Sequence, residues 1–198
     1  MFDSNVSFEN LTERLKLEIG PQRVIAEVKL GTDFLGLDDE AKIAQQPLSK
    51  LGPLEFFTKE VTDLLKDSLQ LAPRICESLA LDCQDVLAFF EKEEFEAAHE
   101  RIGEISSLVD WLLQCIVSLQ SYGDESFKTL AVEEGTLVDS VRAMEKILKE
   151  LHGHLSSQNY GPFLRILLGE FKPQIILWKA LFEKAATSWT PRSSKSET

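Results

Sequence analysis

The sequence predicts a mainly α-helical fold, an up-and-down bundle of four to five long helices preceded by a small N-terminal α/β appendage. Three observations carry that prediction. Phe95, Ala98, Ile102, Ile105, Val109, Leu112, Ile116 and Leu119 recur at alternating steps of three and four, a spacing that lines one stripe of a helix and requires a second helix to cover it. A second run at the same spacing, Phe127, Leu130, Glu134, Leu137, Val141, Met144, Leu148 and Leu151, follows the break Ser121-Tyr122-Gly123-Asp124, so the two read as an antiparallel pair. The hydrophobic fraction of 43% in 198 residues is enough for a packed core in one domain.

Taken in order, residues 1–57 form the appendage and its connector, 58–186 the bundle and 187–198 a Ser/Thr/Lys-rich tail, expected to be mobile apart from Trp189. Phe8, Leu11, Leu15 and Ile19 fit a short helix with Ser7 as its cap, although Leu15 to Ile19 also alternates like a strand. Gly20-Pro21 ends that element. Arg23 to Leu30 is a strand, with Val24, Ala26, Val28 and Leu30 on one face. A lone strand needs a partner, for which Leu54 to Phe57, the stretch before Gly20 and the same strand of a second chain all qualify. Leu37 to Ala44 can make a helical turn. Thr58 can cap a helix running to Ala72, where Pro73 interrupts or kinks it. Cys76, Leu79, Cys83, Val86 and Phe90 then resume the stripe, and Glu91-Lys92-Glu93-Glu94 marks a turn. The last helix spans Tyr160 to Ala186, and an irregular step in its stripe beside Pro173 predicts a kink with a bulging face.

The net charge of -12 argues against nucleic acid as a partner, because phosphate contacts need Lys and Arg. The charge is unevenly spread: residues 58–121 hold 13 acidic and 5 basic side chains, residues 159–198 hold 3 and 6. Solvated helix faces explain this most simply, and an acidic face for a basic partner is the sharper reading. No signal-peptide pattern is seen at the start, and no unbroken run reaches the roughly 18 apolar residues of a membrane span. Three cysteines without metal-ligand pairing suit a reducing, cytoplasmic compartment.

Chemistry-bearing patterns are weak. Glu96 and His99 have the Glu-x-x-His spacing of di-iron bundles, but the second pair that such a site needs is missing. Glu60 with Asp63, and Glu91 with Glu94, have magnesium-site spacing in the wrong order for the helical pyrophosphohydrolases. No phosphate loop, nucleophile elbow or Cys-x-x-Cys is present, so no catalytic residue, cofactor or metal ligand is assigned. Cys76 and Cys83 share a helix face as small core thiols, and Gly103 is either slack or a point of close approach. Glu134 and Glu170 fall at stripe positions, where a buried carboxylate acts as a specificity device if it is paired. For Glu134 the milder alternative is a break at Glu133-Glu134-Gly135, with the helix restarting at Thr136.

In size, acidity and long helices the chain resembles, by class alone and without a shared motif, the small export chaperones of flagellar and type III secretion systems. The expected function is accordingly a non-enzymatic interaction module, adaptor or chaperone-like, offering an apolar groove or acidic face to another protein. Phe171, Trp178 and Phe182 are its candidate aromatic anchors, with ordinary core packing as the alternative for each. Two other readings stand beside it: a carboxylate-lined metal enzyme, and an architectural homodimer built through the strand at Arg23 to Leu30.

Overall fold

A computed structural model describes residues 6–123, 131–132 and 135–191. The chain is mostly helical, with a small three-stranded antiparallel sheet near its N-terminus, and it divides into two compact units, residues 1–64 and 65–198.

In the first unit, α1 (Phe8–Ile19) is a helix, as the apolar spacing predicts, and Ser7 caps it by accepting from the Asn10 N–H. Its first turn is tied to the connector, where the Phe8 and Glu9 N–H groups donate to the carbonyls of Gln46 and Ala44. Strand β1 (Arg23–Leu30) runs back from β2 (Asp33–Phe34) through a turn at Gly31, whose φ of 63° an L side chain would strain against. Leu37–Ile43 forms α2, and β3 (Leu54–Glu60) pairs antiparallel with β1. The strand therefore finds its partner within the chain, in the Leu54–Phe57 segment, one of the three candidates the sequence left open. The sheet order β2-β1-β3 puts β1 in the middle. A bulge between Ile25 and Glu27 interrupts the expected alternation, so of the four residues assigned to one face only Val28 is fully buried. Val28 and Phe56 pair on the covered face, where Phe8 of α1 stacks on Phe56 with ring centroids 6.2 Å apart.

Two boundaries differ from the sequence reading here. Thr58 does not cap a helix: β3 runs through it to Glu60, and its hydroxyl accepts from the Arg23 guanidinium at 2.9 Å. Helix α3 (Val61–Glu91) then continues through Pro73 without interruption. A mid-helix proline costs about 3 kcal/mol. Against that, Leu65, Leu69, Ala72, Cys76, Leu79, Cys83 and Val86 form one buried stripe across it. Each large member contributes about 1.5–3 kcal/mol, so the stripe prevails.

The second unit continues with α4 (Phe95–Tyr122), the short strands β4 (Ala131–Val132) and β5 (Gly135–Thr136), α5 (Leu137–Ser156), α6 (Tyr160–Ile166), a π turn over Leu167–Phe171, and α7 (Lys172–Ser188). The opening stripe is realised in α4, whose Ala98, Ile105, Val109, Leu112, Ile116 and Leu119 are buried. The second stripe is not one helix throughout. Phe127 and Leu130 lie outside the described residues, and α5 begins only at Leu137, after the two short strands. Thr136 caps α5 in a reciprocal box: its hydroxyl accepts from the Asp139 N–H, and the Asp139 carboxylate accepts from the Thr136 N–H. The Thr136 hydroxyl, donating to the Asp139 carboxylate at 2.7 Å, and then the Thr136 N–H hold that carboxyl below its usual range.

By length and composition α4 is long and apolar enough to cross a membrane, with mean hydropathy 1.4 over 18 residues, of which a third are buried. Counting unbroken apolar runs overlooks it, because Glu104, Asp110, serines and a glutamine separate its apolar residues. The end of α4 is closed by the C-terminal segment, where the Trp189 indole N–H donates to the Leu119 carbonyl at 3.2 Å and Gly123 bridges to Pro191. A Cβ on Gly123 would collide with the Trp189 ring and the Leu119 carbonyl, whereas one on Gly103 would meet nothing within 4 Å. Gly103 is therefore slack, and no close approach depends on it. We expect Gly103→Ala to raise the unfolding free energy by up to about 1 kcal/mol and Gly123→Ala to lower it by about 1–3 kcal/mol, as measured by urea unfolding midpoints.

Candidate functional site

The α3–α4 connection builds the most distinctive surface of the second unit. Three residues, Lys92 to Glu94, join the helices, and Glu93 takes φ 61°. The Glu94 N–H reaches the Phe89 carbonyl and the Glu93 N–H the Phe90 carbonyl, a Schellman closure with glutamate where glycine is usual. This tight reversal brings Phe90 and Phe95 edge to face at 5.9 Å, and Tyr160, opening α6, lies 4.7 Å from Phe90 and 5.8 Å from Phe95. His99, one turn into α4, meets Tyr160 edge-on at 6.1 Å. Its Nδ1–H donates to the Phe95 carbonyl at 2.7 Å, which fixes the ring.

Carboxylates ring this aromatic cap. Glu93, Glu94, Glu96 and Glu100 line one shallow depression with Phe95 and Ala97, and Phe95 is 44% exposed at its centre. The nearby Arg101 does not neutralise them, since it is bound to Asp82 at 3.3 Å and Glu104 at 2.9 Å. Burial pushes the Asp82 carboxyl above its usual range, an effect that Arg101 only partly offsets.

An apolar cleft adjoins the cap. It holds about 100 Å³ among Ile102 and Ile105 of α4, Leu148, Leu151 and Leu155 of α5, and Phe163, Leu167 and Phe171 of the last helix, with Ser106 and His152 as its polar residues. Phe163 belongs to both features, because its ring also contacts Phe90 at 6.2 Å. Both ends of the π turn, Leu167 and Phe171, face the cleft. A pocket for a cofactor or drug-sized ligand usually holds about 300–1,000 Å³. This one is sized for a single inserted side chain.

The sequence-nominated residues are distributed differently. Phe171, Trp178 and Phe182 are fully buried: Trp178 and Phe182 pack as core, and Phe171 packs as core while forming part of the cleft wall. The three share one buried stripe with Ile175 and Ala185, which the π turn joins to Phe163 and Leu167. The same turn carries Glu170 to the exposed side, where it is no buried specificity device. Glu134 lies outside the described residues, and the helix restarts beyond it under the Thr136 cap. Glu96 and His99 are exposed, and among the described residues no three His, Cys, Asp or Glu side chains gather as a metal site would require. Cys76, Cys83 and Cys115 are buried, and burial pushes the first two thiols up to about 12 and the third to about 11, so they remain protonated and inert at neutral pH. No family model matches the chain, and no curated protein or solved structure matches it.

Sequence reasoning missed the polar cluster inside this unit. The Ser140 hydroxyl of α5 accepts from the Gln174 amide at 2.7 Å and from the Trp178 indole at 2.9 Å, both on α7. Gln174 also donates to the Ser140 carbonyl at 3.2 Å. The available signal was Ser140 sitting three residues after Leu137 and four before Met144, on the buried stripe. Because Gln174 keeps its second acceptor, Ser140→Ala strands mainly the indole N–H, and we expect a loss of about 1–3 kcal/mol by urea unfolding.

Proposed function

We propose that this chain is a non-enzymatic protein-interaction module, an adaptor or chaperone-like up-and-down helical bundle, whose Glu-rich aromatic cap receives a basic segment of a protein partner. The observation that carries this reading is the half-exposed Phe95 within a cluster of aromatic rings, set among four glutamates and continuous through Phe163 with the apolar cleft. Lys and Arg on the partner would pair with the carboxylates, a guanidinium would lie over the aromatic faces, and one apolar side chain would enter the cleft. The Glu93 conformation supports the same view. A glutamate held at positive φ costs about 1–2 kcal/mol, and such strain concentrates at functional positions.

The three-residue connection between α3 and α4 supports antiparallel neighbours and hence the up-and-down arrangement. Three reduced cysteines support a cytoplasmic setting. The covered stripe of α4 supports an interior helix over a membrane span.

Rim charges act chiefly on association rate and salt dependence, whereas the central ring acts on residence time. Fluorescence anisotropy with a synthetic Arg/Lys-rich peptide containing one leucine should therefore show binding at low salt that weakens markedly near about 0.5 M salt. Combining Glu93→Lys, Glu94→Lys and Glu96→Lys should cost at least about tenfold in affinity, and Phe95→Ala a similar factor at unchanged salt dependence. A Glu-rich peptide should not bind. Equal binding of both peptides, or none of either, would sink the proposal.

A further inference from the structure

The first unit carries a self-complementary sheet edge. Among the described residues β3 pairs on one side only, with β1, whereas β2 at the other edge has two residues and offers little to pair with. The Val61 N–H donates to the Gln22 carbonyl and the Pro53 carbonyl accepts from the Gly31 N–H, so positions 53 and 61 turn their polar groups toward β1. By the two-residue alternation of a strand, positions 55, 57 and 59 do the same. The backbone groups of Leu54, Phe56, Thr58 and Glu60 point away from the sheet, open to a further strand.

Side chains at 55, 57 and 59 share the exposed face of the sheet. There, Phe57 is 42% exposed and contacts Phe34, itself 59% exposed, with ring centroids 5.8 Å apart. Glu55 and Lys59 stand symmetrically about Phe57 with opposite charges. We propose that β3 pairs antiparallel with β3 of a second copy of this chain, about a two-fold axis at Phe57. That register sets Glu55 opposite Lys59 of the second copy, twice, and Phe57 opposite Phe57, joining the two Phe34–Phe57 pairs into one aromatic strip. Moving the axis by one residue would set Phe57 against Lys59 or against Glu55, so charge and apolar surface select a single register. Lys29 approaches Glu55 from β1 at 4.0 Å and would share that carboxylate with the incoming Lys59. Arg23 holds the Thr58 carbonyl by a long 3.3 Å contact, which leaves that oxygen's second lone pair for an incoming N–H. The sheet thus grows from three strands to six. It is β3, rather than the central strand β1, that can join two chains.

The test uses the full chain in sedimentation velocity across a dilution series, with two kinds of variant. The expected result is a concentration-dependent dimer that Glu55→Lys or Lys59→Glu shifts to monomer, and that the double exchange Glu55→Lys/Lys59→Glu restores. Phe57→Cys should form an intermolecular disulfide under mild oxidation, because directly opposed residues in such a pair lie about 4.5 Å apart between Cα atoms. The wild type, whose cysteines are buried, should not cross-link. A chain that stays monomeric throughout with no Phe57→Cys cross-link overturns the proposal, as does a dimer indifferent to both single charge changes.

Discussion

One extra residue in the last helix governs much of the second unit. The π turn over Leu167–Phe171 lets the Lys172 N–H reach back five residues to the Leu167 carbonyl. It immediately precedes Pro173, which has no N–H to continue the regular ladder. Without that insertion the two halves of the helix would present faces rotated by a residue. With it, Phe163, Ile166 and Leu167 before the turn and Phe171, Gln174, Ile175 and Trp178 after it all point inward. The N-terminal half then completes the aromatic cap and the cleft. The C-terminal half delivers Gln174 and Trp178 to Ser140. Surface chemistry and core specificity are coupled through one backbone irregularity.

The core is mostly apolar, and its polar exceptions are satisfied. No buried side-chain nitrogen or oxygen among the described residues lacks a partner. The Ser140 cluster does for α5 and α7 what an interior asparagine does for a coiled coil: it adds little net stability but penalises any slipped register, in which an indole N–H would be stranded. The Asp82–Arg101 pair links α3 to α4 in the same sense, at a cost visible in the raised carboxyl. Lys179 links α7 to α3 through Glu77. That pair is exposed at both ends and contributes mainly orientation.

How much of this was legible in the sequence depended on the range of the interaction. Periodicity located α1, α4, the body of α5 and the last helix, because burial of a stripe is a local pattern. The strand at Arg23–Leu30 was legible from alternation, its partner only as one of three candidates, and the irregular step beside Pro173 foretold the bulge. The errors came where tertiary packing outweighed local preference. Pro73 reads as a break or a kink, and the stripe across it carries α3 through without a break. Thr58 reads as a cap, yet a cross-strand guanidinium claims it. For Trp178 and Phe171 the sequence left anchor and core both open, because aromatic content alone does not say which way a helix face turns. The aromatic cap was invisible for a related reason. Phe90, Phe95, His99 and Tyr160 are brought together by two chain reversals, and only the acidic half of the site, Glu93, Glu94, Glu96 and Glu100, is local in sequence.

The tie between Trp189 and Leu119 also bears on how the protein is made. The indole that closes the end of α4 lies 70 residues downstream of the carbonyl it binds. At a translation rate of about 5–20 residues per second, roughly 4–14 s separate the synthesis of these two positions. For that interval the most apolar helix of the chain has emerged, or is emerging, without the segment that covers its end. The apolar surface it leaves open during synthesis is the kind that ribosome-associated chaperones recognise.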